Sequence, residues 1–317
     1  MDALSEVFRT VHLESTACYR VELSTPWGIQ MSAFNGAVFL VVVRGSGWLE
    51  VEGIETPMPL VGGDVVFLPK GQRHALRDSP LKPLQEHSNH PMIEFDRLLQ
   101  SQTDYISNVL HIGGAGLSTT VMYGRFCFTP LRENPLLSAL PPLLIVKGEE
   151  GRTVEWLDTT LQFMASEMAT TRPGAQTVIN HLASILLVQA VRAYIANREC
   201  GDRCWLKALT DPVIGSALNL IHRYPDRSWT VEELAEQVGI SRTTFFTQFR
   251  ELVGEPPSKY LTRWRMQRAS QILRLEHMTL NEVASLVGYE SEASFSKAFK
   301  QWMGQSPGAY RQQMLRS

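Results

Sequence analysis

Ten side chains on two stretches of this chain have the types and the spacing needed to read DNA. Arg242, Thr243, Phe246, Thr247 and Arg250 form one set, and Glu292, Ala293, Ser296, Lys297 and Lys300 repeat its spacing fifty residues later. Residues three or four apart share one face of a helix, so each set can lie along a single groove. The major groove of DNA admits an α-helix and presents donors, acceptors and thymine methyls to it. Hydroxyls and lysine can read base edges there, while arginine at the helix ends holds phosphates. Phe246 is the odd member: it either packs on a thymine methyl or is partly buried by a neighbouring loop. The competing reading is a pair of solvated helical hairpins that make protein contacts.

Those residues need elements to position them, and an internal repeat supplies the elements. Glu233, Ala235, Val238 and Gly239 recur 49 residues later as Glu282, Ala284, Val287 and Gly288. Ser241, Phe245, Phe249, Gly254, Pro257 and Tyr260 recur 50 residues later as Ser291, Phe295, Phe299, Gly304, Pro307 and Tyr310. Each copy reads as helix, tight turn, helix. Thr230 with Glu233, and Thr279 with Glu282, have capping-box spacing at the first helix. Gly239 and Gly288 supply the left-handed turn, and Ser241 and Ser291 cap the second helix. Phe245, Phe249 and Leu252, like Phe295, Phe299 and Trp302, form the i, i+4, i+7 stripe expected to face the core. Ser258 is expected to cap a helix running to Arg274, with Leu261, Trp264, Ala269, Ile272 and Leu273 inward. That helix would hold the two units rigidly, letting their reading helices enter successive major-groove faces about 34 Å apart. Arg263, Arg265 and Arg268 lie on it, within reach of phosphates or of internal ion pairs.

The remaining chemistry-bearing residues are sparse. The four cysteines, at 18, 127, 200 and 204, are too few for a disulfide framework in 317 residues. Cys200 and Cys204 lack C-x-x-C spacing. Four reduced thiols is one reading and a redox-sensing pair the other.

The composition describes a globular chain of two or more domains, 44% hydrophobic and 20% charged. A net charge of −2 argues at first against nucleic acid. It is an average over unlike parts: residues 1–209 hold 17 basic against 21 acidic side chains, and 210–317 hold 13 against 11. From Arg242 to Arg268 there are 6 basic and 2 acidic, a local positive stripe. No secretory signal or membrane span is visible, which predicts a cytoplasmic protein without membrane contact. The first hundred residues read as strands and turns, with Val38–Val43, Trp48–Glu52 and Val65–Leu68 as the clearest, and suggest an all-β barrel or sandwich. Residues 78–116 read as loop with one or two strands, and Val121–Phe128 as another strand. Val154–Met168 and Pro173–Ala196 fit helices. The second is apolar nearly all round, as expected of a helix buried against more than one neighbour, either the β domain and a second subunit or elements of this chain alone. Everything past Leu206 is helical in pattern.

The stretch Gly288-Tyr289-Glu290-Ser291-Glu292-Ala293-Ser294-Phe295-Ser296-Lys297-Ala298-Phe299-Lys300, closing with Gly304, Pro307 and Tyr310, resembles the signature of the AraC/XylS family of bacterial transcription regulators. The N-terminal part resembles the cupin-type sensor of one branch of that family. Gly63-x5-Pro69-x-Gly71-x2-His74 follows the second cupin motif, with Asp78 where Asn is usual. Arg172-Pro173-Gly174, Trp205-Leu206 and Asp211-Pro212 also match the branch. The resemblance implies an α+β multidomain chain: a cupin-like β-barrel sensor over 1–150, a helical dimerisation segment over 151–200, a linker over 201–210 and an all-α double helix-turn-helix domain over 211–317. It implies a regulator, more often an activator, that binds double-stranded DNA as a homodimer, answers to a small-molecule effector and, if an activator, engages RNA polymerase. It implies no catalytic role. Phe39, Trp48 and His74 are the candidate effector pocket. Cupin enzymes carry an H-x-H pair in the first motif, but the corresponding strand here holds Phe39 and no histidine. No cofactor or metal is therefore expected, since His74 would need a distant partner such as His87, His90, His111 or Cys127. The alternatives are a redox-sensing regulator using Cys18 or Cys127, and a metal-dependent cupin enzyme fused to a DNA-binding domain.

Overall fold

The computed structural model describes residues 3–10, 13–80, 92–101, 109–128, 135–148, 155–168, 172–196, 205–275 and 278–314. The chain divides into two compact units. One holds Leu13–Thr129 and Leu140–Asn197; the other holds Arg198–Ser317 together with Met1–His12 and Pro130–Ala139. The division therefore does not follow one cut along the chain. Helix α1 (Ala3–Thr10) and helix α3 (Pro135–Ala139), both in the stretch expected to be sensor, pack with the C-terminal helices.

The first unit is built on two sheets. β1 (Leu13–Ser24), β3 (Ala37–Arg44), β6 (Val65–Leu68), β9 (Val109–Gly113), β10 (Ser118–Phe128) and β11 (Leu144–Val146) form one, in the order β11-β6-β3-β10-β1-β9. β2 (Gly28–Met31), β4 (Ser46–Val51), β5 (Met58–Val61), β7 (His74–Arg77) and β8 (Met92–Glu94) form the other, in the order β5-β4-β7-β2-β8. The cupin-like domain is thus a two-sheet arrangement among the described residues and not one closed barrel. Alternation sorts its side chains. Val38, Leu40 and Val42 of β3, Leu49 and Val51 of β4, and Val121 and Tyr123 of β10 all enter a single buried cluster between the sheets.

The motif around Gly63 to His74 builds the turn that joins β6 to β7. Asp64, fully buried, accepts the amides of Val61 (3.0 Å) and Gly148 (3.1 Å) and pairs with Lys147 at 2.9 Å. Its carboxylate so ties the turn before β6 to the end of β11, the neighbouring strand. Gly71 has φ 55°, and a Cβ there would overlap the carbonyl oxygen of Phe34, so only glycine fits.

Helices α4 (Glu155–Met168) and α5 (Ala175–Ala196) pack on each other, and both contact β1. Helix α5 starts two residues later than expected, because Pro173-Gly174 makes a turn with Gly174 at φ 87°. By length and composition α5 is apolar enough to cross a membrane; here it is a packing helix, with Ile179, Ala183, Leu186, Leu187, Ala190 and Val191 buried. Between Asp78 and Gly116, where one or two strands are expected, the structure has β8, β9 and also helix α2 (Phe95–Ser101).

In the helical unit, α6 (Trp205–Thr210) and α7 (Ile214–Arg223) precede two helix-turn-helix copies. These are α8 (Val231–Gln237) with α9 (Arg242–Val253), and α11 (Leu280–Leu286) with α12 (Glu292–Met303). α10 (Pro257–Leu275) joins them and α13 (Pro307–Met314) closes the unit. Ser258 is not the cap of α10. The helix begins at Pro257, where proline's missing N–H costs nothing, and Ser258 falls inside its first turn. The expected inward residues Leu261, Trp264, Ala269, Ile272 and Leu273 are all buried.

Candidate nucleic-acid interface

Helices α9 and α12 are each started and stopped by their own local sequence. Ser241 Oγ accepts the amide of Thr244, and Ser291 Oγ that of Ser294, both at 3.2 Å. Each such cap is worth about 1 kcal/mol. The helices end at left-handed Gly254 (φ 84°) and Gly304 (φ 76°). The preceding helices open with complete capping boxes, Thr230 with Glu233 and Thr279 with Glu282. The amides of those threonines, bonded to the two glutamates, hold both carboxyls below their ordinary pKa.

The inner faces fix the rotation of α9 and α12. Phe245 and Phe249 are fully buried with ring centroids 5.5 Å apart, and Phe249 meets Tyr260 edge-on at 5.8 Å. Phe295, Phe299 and Tyr310 reproduce the arrangement at 5.6 and 5.5 Å. Burying each phenylalanine contributes roughly 2 kcal/mol, so turning either helix about its axis is costly. Leu252 and Trp302 are half-buried at the edge of the same stripes.

The opposite faces are consequently open. Arg242, Thr243, Phe246, Thr247 and Arg250 are exposed on α9; Glu292, Ala293, Lys297 and Lys300 are exposed on α12, with Ser296 half-buried. Phe246 is 38% exposed. Arg242 Nε sits 2.7 Å from Glu232 of α8, whereas Arg250, Lys297 and Lys300 have no ion-pair partner among the described residues. The linker arginines divide. Arg263 pairs with Glu255 at 2.7 Å, and Arg265 donates to the carbonyls of Pro225 (2.7 Å) and Arg227 (3.0 Å), so both are bound into the fold. Arg268 remains exposed.

The three residues expected to share an effector pocket do not meet. His74 is buried and its ring stacks on that of Tyr123, 5.8 Å away, in the cluster between the sheets. Phe39 alternates with Val38 and Leu40 and so lies on the other face of its sheet, beside Phe126 at 5.1 Å. Trp48 precedes Leu49 on β4 and likewise faces away from the cluster, half-buried. A strand's period of two decides this, and the motif alone does not reveal it.

What surrounds His74 is a polar and aromatic group that sequence spacing did not assemble. Its Nδ1 lies 2.7 Å from the Gln72 carbonyl, the donor–acceptor pairing that leaves Nε2 as the bare nitrogen; Nε2 is buried without a hydrogen-bond partner. Burial above all pushes the His74 pKa down to about 4, so the ring is neutral. Tyr123 accepts a hydrogen bond from Arg125 Nε at 3.2 Å, Arg125 pairs with Asp96, and Asp96 accepts the amide of Ser32 at 3.0 Å. The rings of Phe34 and Tyr123 flank the guanidinium at 5.2 and 5.6 Å. Tyr123 and Arg125, two apart on a strand, were legible as sharing a face; Asp96 and Phe34 come from segments that only the fold brings near.

The partners that His74 would need for a metal are not gathered around it among the described residues. His111 is exposed and Cys127 half-buried, His87 and His90 lie outside the described residues, and among the described residues no three His, Cys, Asp or Glu side chains gather. Cys18 and Cys127 do not pair. Cys18 lies opposite Gly124 on β10, three residues from Cys127, about 10 Å along the strand and beyond disulfide reach. Cys18 is buried 3.6 Å from the sulfur of Met168, and burial pushes its thiol up to about 12, so it stays protonated. Cys200 and Cys204 lie outside the described residues.

Two capped helix-turn-helix copies joined by one helix, combined with a cupin-like domain, define a DNA-binding transcription regulator. Residues 2–196 match the family model described as Cupin and residues 234–313 that described as Helix-turn-helix domain. The chain belongs to the AraC-type transcription regulators with an N-terminal cupin domain. It is 34% identical to the HTH-type transcriptional regulator AlkR of Acinetobacter baylyi, over 99% of this chain and all of that one. It is 33% identical to a putative AraC-like transcription regulator of Streptomyces lividans, over 98% of each. Among solved structures, a DNA-binding transcriptional dual regulator from Escherichia coli K-12 matches 32% of this chain and 92% of its own, at 25% identity and a TM-score of 0.31.

Proposed function

We propose that α9 and α12 read two successive major-groove faces of one operator half-site. Arg242, Thr243, Phe246, Thr247 and Arg250 do so in the first, and Glu292, Ala293, Ser296, Lys297 and Lys300 in the second. The observation that carries this is the exposure of both faces opposite buried phenylalanine pairs, with Arg250, Lys297 and Lys300 in no ion pair among the described residues. Thr247 and Lys297 sit mid-face and read bases; Arg250 and Lys300 hold phosphates. Phe246 packs on a thymine methyl.

The functional unit is a cytoplasmic homodimer. Val178, Leu182 and Ile185 lie at i, i+4, i+7 on α5, with Val178 40% and Ile185 44% exposed, and this stripe is where a second copy is seated. A small molecule in the cupin-like domain controls the DNA-binding unit through its different contacts in two states, with His74, Tyr123 and Arg125 as its polar group. The chain has no catalytic role, and as an activator it engages RNA polymerase.

Operator sites selected from genomic fragments, measured by fluorescence anisotropy, test the residue roles. Lys297→Ala and Thr247→Ala weaken specific binding more than non-specific binding. Arg250→Ala weakens both and lowers the salt dependence by roughly one unit of slope. Equal loss of specific and non-specific affinity in all three variants would refute the assignment.

A further inference from the structure

The helical unit carries a groove of about 780 Å³ to which neither reading helix contributes a residue. That volume lies in the range of small-molecule sites. Its lining is mixed, with apolar side chains set among polar ones. Trp264, 3% exposed, stacks on His222 with ring centroids 3.8 Å apart, and Ile272 and Leu286 continue the surface. Leu286 is 47% exposed, a large apolar side chain facing solvent. The indole Nε1 of Trp264 is buried with no hydrogen-bond partner.

The rim carries two cations. Arg223 and Arg268 both line the groove, and neither is in an ion pair among the described residues. Arg268 has the Gln271 side-chain oxygen at 3.4 Å, and Arg223 lies over the Tyr224 ring at 5.3 Å. Both leave guanidinium N–H groups for an anion. Of the two carboxylates on the rim, Asp226 faces the charge of Arg265, and Glu6 of α1 is itself partnered.

We propose that this groove binds a small organic anion with an apolar body. Arg223 and Arg268 hold the head group, and Trp264, Ile272 and Leu286 take the body. A phosphate of the DNA backbone would use the cations but not the apolar side chains. The site is separate from the interior around His74 and stands whether or not an effector binds there.

The test is calorimetric titration of the full chain with 2-naphthoate and with its neutral counterpart 2-naphthalenemethanol. Naphthoate is expected to bind at one site per chain, at least tenfold more tightly than the alcohol. In Arg223→Gln/Arg268→Gln that preference disappears, while the urea midpoint stays that of the parent. Leu286→Glu, at an exposed position, weakens naphthoate tenfold or more and serves if the double variant fails to fold. Adsorption to the apolar stripe on α5 would show no preference for the anion and no response to these variants. The proposal is overturned by any of four results: no naphthoate binding at millimolar concentration, equal binding of the two probes, an unchanged preference in the variants, or loss of DNA affinity with naphthoate binding intact.

Discussion

Gly239 and Gly288 hold the same place in the two repeats, with φ of 75° and 79°, yet replacing each by alanine is expected to have unequal cost. Alanine at either position incurs left-handed backbone strain of about 1–2 kcal/mol. At Gly239 nothing lies within 4 Å of the added Cβ, so strain is the whole effect. At Gly288 the Cβ would fall 2.5 Å from Nη2 of Arg265 and 2.6 Å from the carbonyl oxygen of Asp226. The backbone oxygen has little freedom to move. The guanidinium can retreat only by giving up its bond to the Arg227 carbonyl, a charged hydrogen bond worth about 1.5–3 kcal/mol. Gly288→Ala should therefore destabilise by about 2.5–5 kcal/mol, and Gly239→Ala by about 1–2 kcal/mol. Urea unfolding of both full-length variants measures the difference, and operator affinity reports whether α12 has moved. Equal losses, or a larger loss for Gly239→Ala, would refute the reasoning.

Other expectations follow from the same structure. The folded-state pKa of His74, about 4, lies below its unfolded value of about 6.5, so the unfolded chain binds the extra proton between them. Stability is complete above about pH 6.5 and falls as pH drops toward 4; at pH 5 the loss is about 2 kcal/mol, and a His74→Phe variant should show a correspondingly flatter pH profile of urea midpoints. Ser291→Ala and Ser241→Ala should each cost about 1 kcal/mol, seen as lowered thermal midpoints, with Gly recovering most of the loss. Replacing Val178 and Ile185 by glutamate should convert a dimer to a monomer in sedimentation, and an unchanged mass would remove α5 as the dimer contact. Cys18→Ser should leave induction in cells unchanged under oxidants, since its thiol is protonated and out of reach of Cys127.

The legible parts of the molecule are those settled within a few residues. Thr230, Glu233, Ser241, Thr279, Glu282 and Ser291 each bond a backbone group three positions away, and a helix's period sends Phe245 and Phe249 to the opposite side from Thr243 and Thr247. The reading faces could therefore be named before any fold was known. The cupin motif singled out His74, which opens β7. It could not say that Phe39 and Trp48 face away from it, because the choice of buried face is made by what packs on each sheet.

Sequence by itself determined the repeat, its caps and turns, the two exposed faces and the mildly basic stripe from Arg242 to Arg268. Each depends on contacts spanning one helical turn, where distance along the chain and distance in space are the same thing. Tertiary structure alone decided that α1 packs with helices two hundred residues later, and that Arg263 and Arg265 are bound inward while Arg268 is left at a groove. It also decided that Asp96 answers Arg125, and that Gly288 is crowded where Gly239 is open. Those outcomes rest on backbone carbonyls and side chains from remote segments, and the identity of a residue does not specify which of them will arrive beside it.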